Sequence, residues 1–330
     1  MRKFRILSGK EVREILTWED GIRLQGEAFA QFSAGKVQMP VKTLLLSERP
    51  KAHMLFMPAL LQDARGFGVK FTGRFPGNVE KGVPPRMSAL LLMDGETGQP
   101  IGLLEGACLT DLRTGACTGL ATQLLARKDS RVLSVFGAGE TARPCLEAVC
   151  HVRDIEKVWV VGRSEERAKR FVEGMSALGG RVPMDIELTR DRKAAVREAD
   201  IIVAATNARE PVFHGRDIRP GTHVNSVGNV NGRELDSETI RRARVLMDSR
   251  DGCLAYARDI YLPVEEGVVP EGHLQDEIGQ VVLGERPQRQ DSEEITLFKS
   301  LGIAVQDVVS GFHILREAER LEKGILLDWT

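Results

Sequence analysis

The chain has 330 residues, 42% hydrophobic and 28% charged, the proportions of a soluble globular protein with room for about two domains. A formal net charge of -1 excludes the strongly basic footprint of a nucleic-acid binder, and no apolar run approaches the ~20 residues needed to cross a bilayer. Met1-Arg2-Lys3-Phe4-Arg5 leads into no signal-like segment, so a cytoplasmic location is expected.

Residues 1–36 read as helical: Ser8-Gly9-Lys10-Glu11 is a capping-box pattern, and Ile22, Leu24, Phe29 and Phe32 supply an apolar face. Residues 41–106 turn to strands (VKTLLL, HMLFM, FGVKF, SALLLM, PIGLLEG), with Asp94-Gly95-Glu96-Thr97-Gly98 as a hairpin loop. A helix over 111–127 then bridges to the stretch VLSVFGAGETARPCLEAV. Here Val132 to Phe136 reads as a buried parallel strand, and Gly137-Ala138-Gly139-Glu140-Thr141-Ala142 fits the G-x-G-x-x-G/A dinucleotide fingerprint. Gly137 permits the turn, Gly139 lets the backbone approach a pyrophosphate, and Ala142 lets the helix pack on the strand. The helix's first turn offers free N–H groups and a positive dipole end.

A second strand, Val158 to Val161, ends in Gly162-Arg163-Ser164. An acid there would accept from a ribose 2′-hydroxyl, whereas Arg163 and Ser164 suit a 2′-phosphate, which favours NADP(H) over NAD(H). The bland alternative is a solvated strand-end arginine. Further short strands are predicted over 200–206, 222–227 and 245–248, so Thr206, Val227, Gly228 and Asn229 should face the cofactor or substrate from the strands' carboxyl ends. Residues 267–290 read as loop or lid. The tail over 302–323 reads as a helix, with Val305, Val308, Phe312 and Leu315 on one face and Gly324 as its stop. That helix is expected to pack back on the first domain. The domains are then 1–126 with 303–330, and 127–302.

The five cysteines show no C-x-x-C pairing and are expected to be reduced; the six histidines show no metal spacing, so no metal site is expected. Two cations in the first domain stand out. Lys70, in the small and apolar Gly66-Phe67-Gly68-Val69-Lys70-Phe71-Thr72, either points outward or is held at a site, where desolvation would lower its pKa toward neutrality. Arg113, near the start of the bridging helix, either clamps a carboxylate or pairs with a helix-surface acid such as Asp111.

Taken in order, several motifs resemble the ornithine cyclodeaminase/mu-crystallin family. They are Met57-Pro58, Gly68-Val69-Lys70, Pro76-Gly77-Asn78, the Asp94 to Gly98 loop with Pro100, Leu109-Thr110 and Arg113-Thr114-Gly115-Ala116. They continue through the GAGETA turn, Ala199-Asp200-Ile201 with Thr206 and Pro211, Arg233-Glu234-Leu235-Asp236, and Phe298-Lys299-Ser300-Leu301-Gly302 with Asp307. The resemblance implies a Rossmann-type doubly wound parallel sheet plus a discontinuous α+β domain that binds substrate and forms a homodimer. It also implies a nicotinamide cofactor and a small imino- or amino-acid substrate.

By position in the family, Lys70 looks like the acid/base lysine and Arg113 like the carboxylate anchor. Lys42 and Met57 fall in the substrate pocket, and Thr114 joins the 137–142 turn and the strand-end residues at the cofactor. Two departures bear on the reaction. Where cyclodeaminases carry an aspartate that activates the δ-amine, this chain has Asn229, the third member of the candidate catalytic set, whose amide takes up no proton. Lys42 stands where many relatives have an arginine, keeping the charge and losing the fork geometry. Both departures favour an NAD(P)H-dependent imino-acid reductase, running in reverse as an amino-acid dehydrogenase, with a cyclic imine such as Δ1-pyrroline-2-carboxylate as substrate. Ornithine cyclodeaminase, and a non-enzymatic NADPH-binding protein, are the alternatives.

Overall fold

The protein is described by a computed structural model covering residues 3–40, 42–63, 65–229 and 232–329. The chain divides into two compact units, 1–113 with 303–330, and 114–302.

In the first unit, β1 (Phe4–Leu7) precedes the helices Gly9–Ile15 and Trp18–Ser33. The capping box forms as expected: the Ser8 hydroxyl accepts from Glu11 N–H while the Glu11 carboxylate accepts from Ser8 N–H. The short β2 (Val37–Gln38) and β3 (Thr43–Ser47) lead into β4 (Ala52–Leu61), β5 (Gly66–Arg74), β6 (Arg86–Asp94) and β7 (Pro100–Glu105). β4 to β7 form an antiparallel meander, β2 and β3 pair with β4, and β1 lies between β7 and a C-terminal strand, Ile325–Leu327. One expectation is corrected here. Phe4–Leu7 is strand rather than helix, because partners on both sides take up its backbone groups; the strand after Gly324, one of those partners, was not foreseen.

One face of this sheet is covered by the helix Ala304–Arg320, buried at Val305, Val308, Ile314 and Leu315. Gly311 permits the close approach, since a Cβ there would stand 2.6 Å from Leu90 Cδ2. Alternation in β5 sends Lys70 to this covered face, opposite Met57 of β4, and leaves Phe67 on the other.

The second unit is an all-parallel sheet of eight strands. They are β8 (Val132–Phe136), β9 (Lys157–Val161), β10 (Ile186–Leu188), β11 (Ile201–Ala204), β12 (His223–Val227), β13 (Arg244–Met247), β14 (Asp276–Glu277) and β15 (Thr296–Ser300). Their order is β10-β9-β8-β11-β12-β15-β13-β14, so the winding reverses between β8 and β11. Separate apolar clusters cover the two faces. One gathers Leu133, Val135, Leu146, Val149, Val160 and Val203, and the other Phe136, Ile202, Val224, Val245, Ile260 and Leu297. This is the doubly wound arrangement expected from the sequence.

Residues 267–290 are not only loop: β14 extends the sheet and the helix Ile278–Val282 follows it, anchored by buried Leu274, Ile278 and Val281. β15 also went unread, because Lys299 interrupts its apolar run; the lysine is wholly buried against Asp259.

Candidate active site

In the second unit, Gly137 and Ala205 follow the strands at which the winding reverses. In open α/β sheets this is where ligands bind, beyond the strands' carboxyl ends. The two loops touch: Gly137 has φ of 120°, and a Cβ there would stand 2.4 Å from the Ala205 carbonyl oxygen. Gly139 differs, since a Cβ there would meet nothing within 4 Å. The turn thus leaves open backbone at the position where the fingerprint brings the pyrophosphate closest, and the helix Ala142–Val152 starts directly after it, with Ala142 wholly buried. These residues fit a dinucleotide. Ala138 lies inside the turn, while Glu140 and Thr141 are at its rim.

At the end of β9, Arg163 and Ser164 are both exposed. The Ser164 hydroxyl caps the helix Glu165–Ser176 by accepting from Arg167 N–H. Thr206 Oγ1 accepts from Ala208 N–H at 3.0 Å, and Thr206 N–H donates to the buried Glu234 carboxylate at 2.5 Å. Val227 is buried at the end of β12, followed by Gly228 with φ of 80° and Asn229 with φ of 57°. An asparagine tolerates this left-handed conformation. Its side-chain N–H donates to the Ala208 carbonyl at 2.8 Å, so Asn229 braces the 206–208 loop. Val230 and Asn231 of the same loop lie outside the described residues. Thr114 is buried near the start of this unit, its carbonyl accepting from Thr118 Oγ1.

The first unit gathers the two candidate cations around a residue the sequence reading left without a role. Lys70 Nζ donates to Asp307 Oδ2 at 2.6 Å and to Thr110 Oγ1 at 3.3 Å, and Lys70 and Asp307 are 2% and 0% exposed. Arg113 Nε lies 3.4 Å from Asp307 Oδ1, and its Nη1 lies 3.5 Å from Gln306 Oε1. The surface-pair alternative for Arg113 fails, because Asp111 instead takes Arg86 at 2.6 Å. Gln306 is fixed in turn: its side-chain N–H donates to Gln25 Oε1, and Gln25 donates to Ser310 Oγ.

Burial pushes Lys70 down to about 8, helped by the positive charges of Arg113 and Lys42 and opposed by Asp307. Lys42 is half-buried and within electrostatic reach of Lys70, and Met57 is buried opposite it. Arg113 Nε and Asp307 Oδ1 are buried and face each other at 3.4 Å, an ion pair with no hydrogen bond to either atom among the described residues. The cluster therefore sets a buried guanidinium and a lysine whose pKa is drawn toward neutrality around one carboxylate. In the sequence Asp307 entered only as a member of the family motif that follows Phe298–Gly302, with no role attached.

The family model for the ornithine cyclodeaminase/mu-crystallin family matches residues 2–321. A Δ1-pyrroline-2-carboxylate reductase of Bacillus cereus is 35% identical over 323 residues, 97% of this chain and 98% of that one. The solved Δ1-pyrroline-2-carboxylate reductase of Thermococcus litoralis, in complex with NADH and L-proline, is 38% identical. It superposes with a TM-score of 0.91 over 98% of this chain and 100% of that one. An archaeal alanine dehydrogenase dimer with bound NAD is 32% identical, with a TM-score of 0.89 over 99% and 100% of the two chains. The chain belongs to the ornithine cyclodeaminase/mu-crystallin family.

Proposed function

We propose that this protein is an NAD(P)H-dependent imino-acid reductase acting on a small cyclic imine such as Δ1-pyrroline-2-carboxylate. The observation that carries the reading is Lys70, buried 2.6 Å from Asp307 with the Arg113 guanidinium against the same carboxylate. The chain is an oxidoreductase of C=N and CH–NH groups, in keeping with the Δ1-pyrroline-2-carboxylate reductases it resembles.

Arg113, assisted by the charge of Lys42, holds the substrate carboxylate, and Met57 supplies an apolar wall. A dinucleotide held by the 137–142 turn, with Thr206 and Gly228 toward its nicotinamide end, would supply the hydride that the imine carbon takes up. Lys70 Nζ delivers the proton that the imine nitrogen takes up, and Asp307 keeps that lysine charged until it does so. In the amino-acid oxidation direction the neutral lysine takes the proton back. Asn229 in place of a carboxylate disfavours the cyclodeaminase reaction, since an amide cannot activate a second amine. Its role in this reading is to hold the 206–208 loop through Ala208.

Thr114, Gly137, Ala138, Gly139, Glu140, Thr141, Ala142, Thr206, Val227 and Gly228 form the proposed dinucleotide surface. NADP(H) is preferred in this proposal because Arg163, exposed just after β9, is a cation suited to a ribose 2′-phosphate; NAD(H), named with both solved relatives, is also accepted. The protein is proposed to be a cytoplasmic homodimer with residues 1–126 and 303–330 as its substrate and dimerisation domain. Support for the dimer comes from Leu44, Leu45 and Leu46, exposed at 52%, 55% and 77%, and from the dimeric alanine dehydrogenase.

The test incubates purified protein with NADPH or NADH and preformed cyclic imines, alongside 2-oxo acids with ammonia. Loss of reduced-nicotinamide absorbance with a cyclic imine is expected. Release of ammonia and proline from ornithine without net change in cofactor, or tight NADPH binding with no turnover, would replace the reading with one of its alternatives.

A further inference from the structure

We propose that Lys299 is a positioning residue for the nicotinamide end of the dinucleotide, tying together through Ser226 and Glu234 the two loops that follow β11 and β12. The inference rests on the proposed function, in which Thr206 and Gly228 meet that end of the cofactor.

Lys299 sits in β15, a parallel strand covered on both faces, where an ammonium persists only if fully paired. All three of its donors are used. Nζ donates to Asp259 Oδ2 at 2.5 Å, to Ser226 Oγ at 2.9 Å and to the Gly228 carbonyl at 3.2 Å. Ser226 Oγ in turn donates to Glu234 Oε2 at 3.2 Å, and Glu234 Oε1 accepts from Thr206 N–H at 2.5 Å. One buried cation therefore holds the Gly228 turn directly and the Thr206 turn through two side chains.

A purely structural role would need less. The Lys299–Asp259 pair already fastens the helix Arg258–Glu265 to the sheet, and the second oxygen of Asp259 accepts from the backbone N–H groups of Glu234 and Leu235 at 2.7 and 3.0 Å. The arms to Ser226 and Gly228 reach instead the carboxyl end of β12 and, through Glu234, the loop after the adjacent β11.

Burial drives the Glu234 carboxyl up to about 7, against the pull of Lys299 and the Thr206 N–H. The Lys299 pKa is held above its usual range: burial opposes the charge, and Asp259 and Glu234 outweigh it. The ionised Asp259 and Glu234 thus keep the lysine charged at its three partners.

The test compares two ligands on the full-length protein: NADH, and ADP-ribose, which lacks the nicotinamide. Ser226→Ala cuts the arm to Glu234 and leaves the Lys299–Asp259 pair in place. It should weaken NADH binding about tenfold, the size of one lost hydrogen bond to a charged group, and change ADP-ribose affinity less than about twofold. Ser226→Thr, which keeps the hydroxyl, should restore NADH binding. Lys299→Met should act like Ser226→Ala if it folds; if it does not, the serine pair decides. Unchanged NADH affinity in Ser226→Ala, or a parallel loss of both ligands, overturns the proposal. A wild-type protein that binds neither ligand overturns the functional reading, and this inference with it.

Discussion

Replacing Asp307 by asparagine removes the carboxylate that pairs with Lys70 between the sheet and the helix Ala304–Arg320. The two side chains are 2.6 Å apart and 2% and 0% exposed, so solvent does little to screen them. Unit charges about 4 Å apart at an effective dielectric near 20 interact by about 4 kcal/mol, a ceiling of roughly three pKa units. Relaxation will take part of that, and a fall of at least about one unit is expected.

Lys70 starts at about 8. The reductive reaction needs its ammonium form, so wild-type kcat/KM should be flat below that value and fall as pH rises through it. In Asp307→Asn the same decline should begin below about pH 7, with activity largely recovered when the assay is made more acid. The oxidative direction needs the neutral lysine, so its rising limb should move down by the same amount. Rates are read from nicotinamide absorbance across pH, with circular dichroism as a control for folding. An Asp307→Asn enzyme that is folded and active with the wild-type inflection would refute the assignment of Lys70 as the titrating acid. So would a Lys70→Ala enzyme with wild-type turnover.

Gly139→Val should leave the melting temperature within about 2 °C, because its Cβ meets no protein atom, yet weaken dinucleotide binding at least about tenfold; unchanged affinity by fluorescence titration would exclude this turn as the pyrophosphate cradle. Gly137→Ala should cost about 2 kcal/mol or more of stability, because its Cβ would stand 2.4 Å from the Ala205 oxygen at a φ of 120°; a melting temperature equal to wild type would contradict the geometry. Arg163→Ala should raise KM for NADPH about tenfold and leave that for NADH nearly untouched, and equal effects on both would end the case for 2′-phosphate recognition. His223, wholly enclosed, is held down to about 3 by burial and then by the charge of Arg289. A histidine whose folded pKa is depressed contributes stability above its unfolded value near 6.5 that is lost as pH falls toward 3, about 5 kcal/mol at most. His223→Gln should therefore shift acid unfolding to lower pH, and an unmoved midpoint would show that other groups govern it.

The sequence by itself determined the parts whose signals are local. The buried run before Gly137, the glycine turn and the helix behind it follow from steric and dipolar rules that act within about 20 residues. The Asp94 to Gly98 hairpin, closed by Asp94 Oδ1 accepting from the N–H groups of Glu96 and Thr97, is local in the same way, as is the capping box at Ser8. Residue types also marked Lys70 and Arg113 as chemically able, but left open whether either faced a site. Only the tertiary structure decided that, because the deciding partner, Asp307, lies 237 residues from Lys70 in the chain and meets it through a helix laid across the sheet. The same reason explains the missed elements. Phe4–Leu7 becomes a strand because distant strands pair with it, and β15 accepts a charged lysine because Asp259, from a helix 40 residues earlier, neutralises it. Local preference amounts to a few tenths of a kcal/mol per residue, whereas leaving a buried backbone group or an unpaired charge costs several times more, so the long-range partners prevail.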